Sequence, residues 1–206
     1  MSDSLFITDS ELTSYINASI AELYDILVSR YSDYYTAETT ATVAAGASTI
    51  PLPAGFYKLR GLDMLNNGNW ITLRKFNFED RNLYNNALPY SRVWGPGVRY
   101  RVFGDNVILT PTDSAQGTYK LYYIPAFTPL ALDADTFDGI NGWEEYVIVD
   151  AAIKMLQKEE SDVSVFMVQK QKLLDRIEAM AAERDAGEPE TITDMSQVGL
   201  DSWWGY

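Results

Sequence analysis

The sequence predicts an α+β fold. Its parts are an antiparallel helical bundle of three main helices, a small antiparallel β domain inserted between the first and second helices, and an extended C-terminal tail. Three observations predict it. Apolar residues recur every three or four positions in the first forty residues and again after residue 140. The stretch between is rich in β-branched and aromatic residues, punctuated by Gly, Asn and Pro. The last residues show neither pattern. The corresponding division is 1–38 and 139–187 for the bundle, 39–138 for the β insertion and 188–206 for the tail.

The first helix is expected over about 9–35. Thr8-Asp9-Ser10-Glu11 fits a capping box, in which a hydroxyl and a carboxylate satisfy amides left unpaired at a helix start. Leu12, Ile16, Ile20, Leu23, Leu27, Tyr31 and Tyr34 follow at helical spacing and share one face.

From about 39 to 130 the pattern becomes β-like. Thr39–Val43 and Ser48–Leu52 flank Ala44–Ala47 and predict a hairpin. Further strands are expected at Tyr57–Met64, Trp70–Phe76, Arg99–Phe103, Val107–Thr110 and Thr118–Ile124, with a short helix at Phe78–Asn85. Asn66–Asn69 and Gly104–Asn106 supply turn residues that tolerate positive φ. Pro51, Pro53, Pro111 and Pro125 fall at strand ends, where a missing amide matters little. A sandwich and an open barrel both satisfy this pattern.

Helix returns over about 141–186. Asn141 is the expected cap, with Glu144 three residues on; Val147, Ile148, Ala151, Ala152, Met155 and Leu156 form a stripe. Ser161-Asp162 breaks and recaps the run, and Val163, Phe166, Met167, Leu173, Leu174, Ile177, Met180 and Ala181 form a second stripe. Gly187 and Pro189 end it. So short a turn makes the two helices antiparallel, and the first helix is the natural third member. The tail beyond is acidic and closes on Trp203-Trp204-Gly205-Tyr206. Leaving such rings in water forgoes about 1.5–3 kcal/mol for each large apolar side chain. They are expected to dock, either on their own domain or on a partner.

Composition narrows the function. The 206 residues carry 16 Lys and Arg against 29 Asp and Glu, a net charge of −13, and the basic residues look scattered. A nucleic-acid binder needs a basic stripe, so gripping DNA is not expected, whereas lining a passage for it is compatible with the charge. The 14 Tyr and 5 Trp suit either surfaces covered on assembly or a tyrosine-rich β core. With no His and no Cys there is no Ser-His-acid triad, no Cys nucleophile and no His- or Cys-based zinc site. No Walker-type glycine loop or spaced-glycine dinucleotide fingerprint occurs. Asp133, Asp135 and Asp138 approach a calcium-loop pattern, but the third acid is one position late and the distal Glu is missing, which leaves an acidic turn. Glu144-Glu145 and Glu159-Glu160 are adjacent, and neighbours on a helix do not face each other. Lys154, Lys158, Glu159, Lys170, Lys172, Asp175, Arg176, Glu178, Glu183 and Arg184 suit a solvated helix face, or ion pairs between subunits. The first ten residues do not form a signal peptide, and no apolar run reaches membrane-span length. No catalytic residue, cofactor or metal is therefore expected, and synthesis in a cytoplasm is.

The order of several segments resembles the head-to-tail adaptor, or connector, family of tailed bacteriophages. Ile50–Asp63, IPLPAGFYKLRGLD, is similar to the LP-x-x-F-x-K-L-x-G-V-D segment of those proteins. Tyr122–Pro125, Phe137–Val147, Asp150–Lys154, Lys158–Asp162 and Arg184–Pro189 are similar to its C-terminal half, so the likeness spans roughly residues 40–190. The resemblance implies a helical bundle with a β domain, in a ring of about twelve copies under the portal protein. It further implies a tail reaching onto the portal, a virion-neck location and a surface for tail or nozzle proteins. Double-stranded DNA would pass through the channel without specific binding, and no membrane is involved. Trp203, Trp204 and Tyr206 are the candidate portal-binding residues, on the physical argument above. A tail-completion protein is the nearest alternative. A carbohydrate- or receptor-binding module using Trp70 and Trp94, and a hydrolase using paired acids, are the rivals from other classes.

Overall fold

The computed structural model describes residues 7–82, 97–139 and 142–182. Helix α1 runs over Asp9–Arg30. Its capping box is formed in both directions: the Thr8 hydroxyl oxygen accepts the Glu11 amide at 3.3 Å, and the Glu11 carboxylate accepts the Thr8 amide at 3.0 Å. The helix stops at Arg30, shorter than expected, where the Tyr31 amide still reaches the Leu27 carbonyl at 2.7 Å. Tyr34, expected in the stripe, lies beyond the helix and meets Tyr35 edge to face at 4.9 Å.

Eight strands follow among the described residues: β1 (Ala37–Val43), β2 (Thr49–Pro51), β3 (Phe56–Asn66), β4 (Asn69–Thr72), β5 (Arg74–Lys75), β6 (Arg99–Phe103), β7 (Asn106–Thr110) and β8 (Gly117–Pro125). They form two four-stranded sheets, ordered β1-β8-β3-β4 and β2-β7-β6-β5. Buried side chains from both sheets share one core, among them Val43, Ile50, Leu62, Tyr100, Val107, Leu109, Tyr119 and Leu121. This is a sandwich.

Helices α2 (Glu144–Lys158) and α3 (Ser164–Ala182) complete the described chain. α2 starts at Glu144 after Trp143; the expected cap, Asn141, lies outside the described residues. Asp162 caps α3 by accepting the Ser164 amide at 2.9 Å. Ile20, Leu23 and Leu27 of α1, Trp143, Tyr146 and Val147, and Ile177 and Ala181 of α3 make a second core. The α1 stripe is buried along its second half only.

The expected fold class needs correction. Strand makes up 29% of the described residues, and the sandwich core holds twelve buried residues against eight in the helical core. The β part is thus not a small insert on a helical bundle, and it is not wholly antiparallel, because β5 runs parallel to β6. The physical reason lies in two runs whose composition hides a change of sheet. Trp70–Phe76 reads as one strand, but Leu73 is buried and its amide binds the Leu62 carbonyl at 2.9 Å. The chain turns there, leaving the first sheet as β4 and entering the second as β5. Likewise β1 and β2 are not a hairpin: β1 pairs with β8 and β2 with β7, and the intervening turn arches between sheets so that Val43 and Ile50 both enter the core. Alternation along a strand records which residues are buried, but not which strand is the neighbour.

An aromatic seam joins the helices to the sandwich. Tyr24 of α1 donates its hydroxyl to the Pro125 carbonyl and packs against Tyr35, Tyr57 and Phe127. Tyr57 of β3 donates to Asp25 at 2.8 Å, and Arg60 pairs with Asp33. The tyrosines divide between the expected β core and a seam inside the chain, which is not a surface covered on assembly. Tyr100 and Tyr119 lie in the β core, while Tyr24, Tyr35 and Tyr57 seal the seam.

Candidate functional site

Three features with chemical character emerge: a buried ionic network, an aromatic cavity and a basic edge. The network is centred on Asp150, which is 2% exposed in the middle of α2. Burial pushes its carboxyl upward, but hydrogen bonds from Lys154, Lys170 and Ser19 outweigh burial and hold its pKa below the usual range. Ser19, on α1 and wholly buried, donates to Asp150 at 2.6 Å; Lys170, on α3, donates at 2.6 Å; Lys154, one turn along α2, completes the set. Glu22 of α1 joins both lysines, at 3.0 Å to Lys170 and 3.5 Å to Lys154. Burial alone would lower the Lys170 pKa, but its hydrogen bonds to Asp150 and Glu22 raise it. All three helices therefore meet at a single carboxylate. Lys154 and Lys170, expected on a solvated face, sit at the helix interface instead. The sequence held one usable signal: Asp150 interrupts the stripe of Val147 and Ala151 and has Lys154 four residues on.

The cavity, of about 210 Å³, lies between α1 and the segment after β8, against Leu23, Tyr24, Leu27, Tyr35, Phe127 and Phe137. Nearby, the acids of the calcium-like turn diverge. Asp135 accepts the Ala131 and Leu132 amides at 2.8 Å each, and Asp138 accepts the Tyr34 hydroxyl at 2.6 Å. Among the described residues, no three Asp or Glu side chains gather as a metal site.

The basic edge overturns the expectation that cations are scattered. β5 places Arg74 directly beside Arg99 of β6, and Lys75 beside Tyr100. After β5, Phe78 of a short 3-10 turn (Phe78–Asp80) stacks on Phe103 at 6.1 Å and 8°. The guanidinium groups of Arg81 and Arg101 lie 4.5 and 5.7 Å from the Phe78 ring centre. Charge is segregated among the described residues. The described sandwich residues, 37–82 and 97–125, carry eight Lys and Arg against six acids. The described remainder carries six against sixteen.

Of the residues singled out in the sequence, Trp203, Trp204 and Tyr206 lie outside the described residues, as does Trp94. Trp70 is on edge strand β4, 43% exposed, with the Lys120 ammonium 5.0 Å from its ring. The ring thus has a cation on one face, where a sugar would stack. No helix of the described residues is long and apolar enough to cross a membrane.

Comparison with known proteins gives one clear result. Among curated proteins no match is found. A family model described as SU10 adaptor protein matches residues 1–193, nearly the whole chain and both of its cores. The chain therefore belongs to the SU10 adaptor protein family, a family of bacteriophage head-to-tail adaptors.

Proposed function

We propose that this adaptor is a structural, non-catalytic component of the virion neck that works as one copy in a ring of about twelve, closed by rotational symmetry. The ring docks on the portal protein, extends the DNA channel and offers the surface on which tail or nozzle proteins assemble. The family match over residues 1–193 is the observation that carries this reading. The charge supports it: sixteen acids on the described helical part suit a channel wall that repels phosphate and lets DNA slide. Many modest contacts repeated around a ring add up to firm attachment without any one being strong.

The C-terminal tail is the proposed portal anchor, through Trp203, Trp204 and Tyr206. A tail that orders on binding loses entropy but wraps a wide surface. The test is to add purified full chain, or a chain lacking Ser202–Tyr206, to portal-bearing heads and image the vertices. The full chain is expected to form rings there, and the shortened chain to attach more weakly with an unchanged unfolding midpoint. Equal attachment removes the tail from the mechanism, and absence of rings with the full chain removes the ring.

A further inference from the structure

We infer that the basic, aromatic edge formed by β5, β6 and the Phe78–Asp80 turn is the seat for the acidic tip of the α2–α3 hairpin of a second copy of this chain. The inference rests on the ring reading and adds the surfaces that would close it. Four cations, Arg74, Lys75, Arg81 and Arg101, gather at this edge, and among the described residues none of them is in an ion pair. Of the other described cations, Arg30, Arg60, Lys120, Lys154, Lys158 and Lys170 have acidic partners, while Lys58, Lys172 and Arg176 share no ion pair but do not cluster in one sheet edge. Between the cations the stacked pair Phe78 and Phe103 stays 41% and 57% exposed. The surface is charged and apolar at once, so its occupant should be too.

The hairpin tip has that complementary character. Glu159, Glu160 and Asp162 are exposed in the turn, and the first turns of α3 expose Val165 (74%), Met167 (54%) and Val168 (58%). Among the described residues no hydrogen bond or ion pair links this tip to β5 or β6 of its own chain. Each copy would use one surface as donor and the other as acceptor, a heterologous contact that closes into a ring when the rotation allows. DNA is the weaker candidate. Phosphates match the cations but leave the phenylalanine pair uncovered, whereas the hairpin tip would bring Val165, Met167 and Val168 to it.

The absence of cysteine makes the test clean. A full-length chain carrying both Arg74→Cys and Glu159→Cys, at two exposed positions, is added to portal-bearing heads and treated with a short bis-maleimide. A ladder of covalent oligomers is expected from the double variant, and no more than dimers from either single variant. Rings visible at the vertex without a ladder overturn this inference alone; no rings, even with the unmodified chain, overturn the parent reading with it. A second measurement uses charge. Arg74→Glu with Arg101→Glu, and separately Glu159→Lys with Glu160→Lys, should each reduce ring occupancy at least tenfold, and the four changes combined should restore it. Unchanged occupancy in the charge variants, or loss of a DNA gel shift in the Arg variant with rings intact, overturns the inference.

Discussion

Asp150 is the residue through which the three helices are tied, and its loss has a definite cost. Removing one partner of a buried ion cluster leaves the others uncompensated, which costs about 3–5 kcal/mol. Lys154 and Lys170 keep side-chain exposures of 23% and 28%, so water relieves part of that penalty. Asp150→Ala is expected to lower unfolding free energy by about 3 kcal/mol in urea titration. Ser19→Ala removes the hydrogen bond donated to Asp150 and the one accepted from Lys154, and should cost about 1.5–3 kcal/mol. The same residues set the acid response. The Asp150 pKa lies below its ordinary 3.8, and Glu11, held chiefly by the Lys158 ammonium and then by the Thr8 amide, falls from 4.5 to about 2. A carboxyl with a depressed folded pKa stabilises fully above its unfolded value, and that contribution disappears as pH falls through the folded value. Stability should therefore decline from pH 4.5 towards 2, with Glu11→Gln removing part of the decline. Lys170 works in the opposite sense: its pKa is raised, so its contribution is complete below 10.5 and lost in stronger alkali. Urea midpoints measured across pH for the parent chain and for Glu11→Gln check both arms.

At the scale of elements, the β3–β4 turn shows what local sequence can specify. Asn67 and Gly68 have φ of 50° and 84°, the left-handed pair a two-residue hairpin requires, and Asn66–Asn69 marked this turn in the sequence. Gly68→Ala meets no atom within 4 Å, so its cost is backbone strain alone, about 1–2 kcal/mol. Urea titration should show that loss, and Gly61→Ala, equally open but without a positive φ, should show little of it. The capping box at Thr8 and Glu11 was legible for the same reason, since all its atoms lie within four residues. Other features were not, because they depend on which distant segment becomes the neighbour. The Trp70–Phe76 run gave no sign that Leu73 would turn the chain from one sheet to the other. Nor did Arg74 announce Arg99, because their adjacency comes from a parallel pairing across a long crossover. Lys154 and Lys170 were misassigned to solvent because an ion cluster at a helix interface reads, in one dimension, as an amphipathic polar face.

At the largest scale the dominant feature is the separation of charge, eight basic residues against six acids in the described sandwich and six against sixteen in the rest of the described residues. A net charge of −13 spread evenly would make every copy repel every other equally. Segregation changes that, because a basic edge can approach an acidic neighbour while the remaining surface keeps the chain soluble. Folding and assembly then respond differently to salt. The Debye length shrinks from about 8 Å near 0.15 M to about 3 Å at 1 M, which screens exposed charges and leaves buried ones much less affected. Asp150 and Ser19 at the centre of the helical network are buried, whereas Arg74, Lys75, Arg81, Glu159 and Glu160 are exposed. Raising NaCl from about 0.15 to 1 M should therefore strip rings from portal-bearing heads while the urea midpoint of the free chain moves little. Ring occupancy counted by electron microscopy, set beside the midpoints, separates the two effects. Rings that persist at high salt would mean that Val165, Met167, Val168 and the phenylalanine pair, rather than the charges, dominate the contact, since apolar burial is not weakened by NaCl.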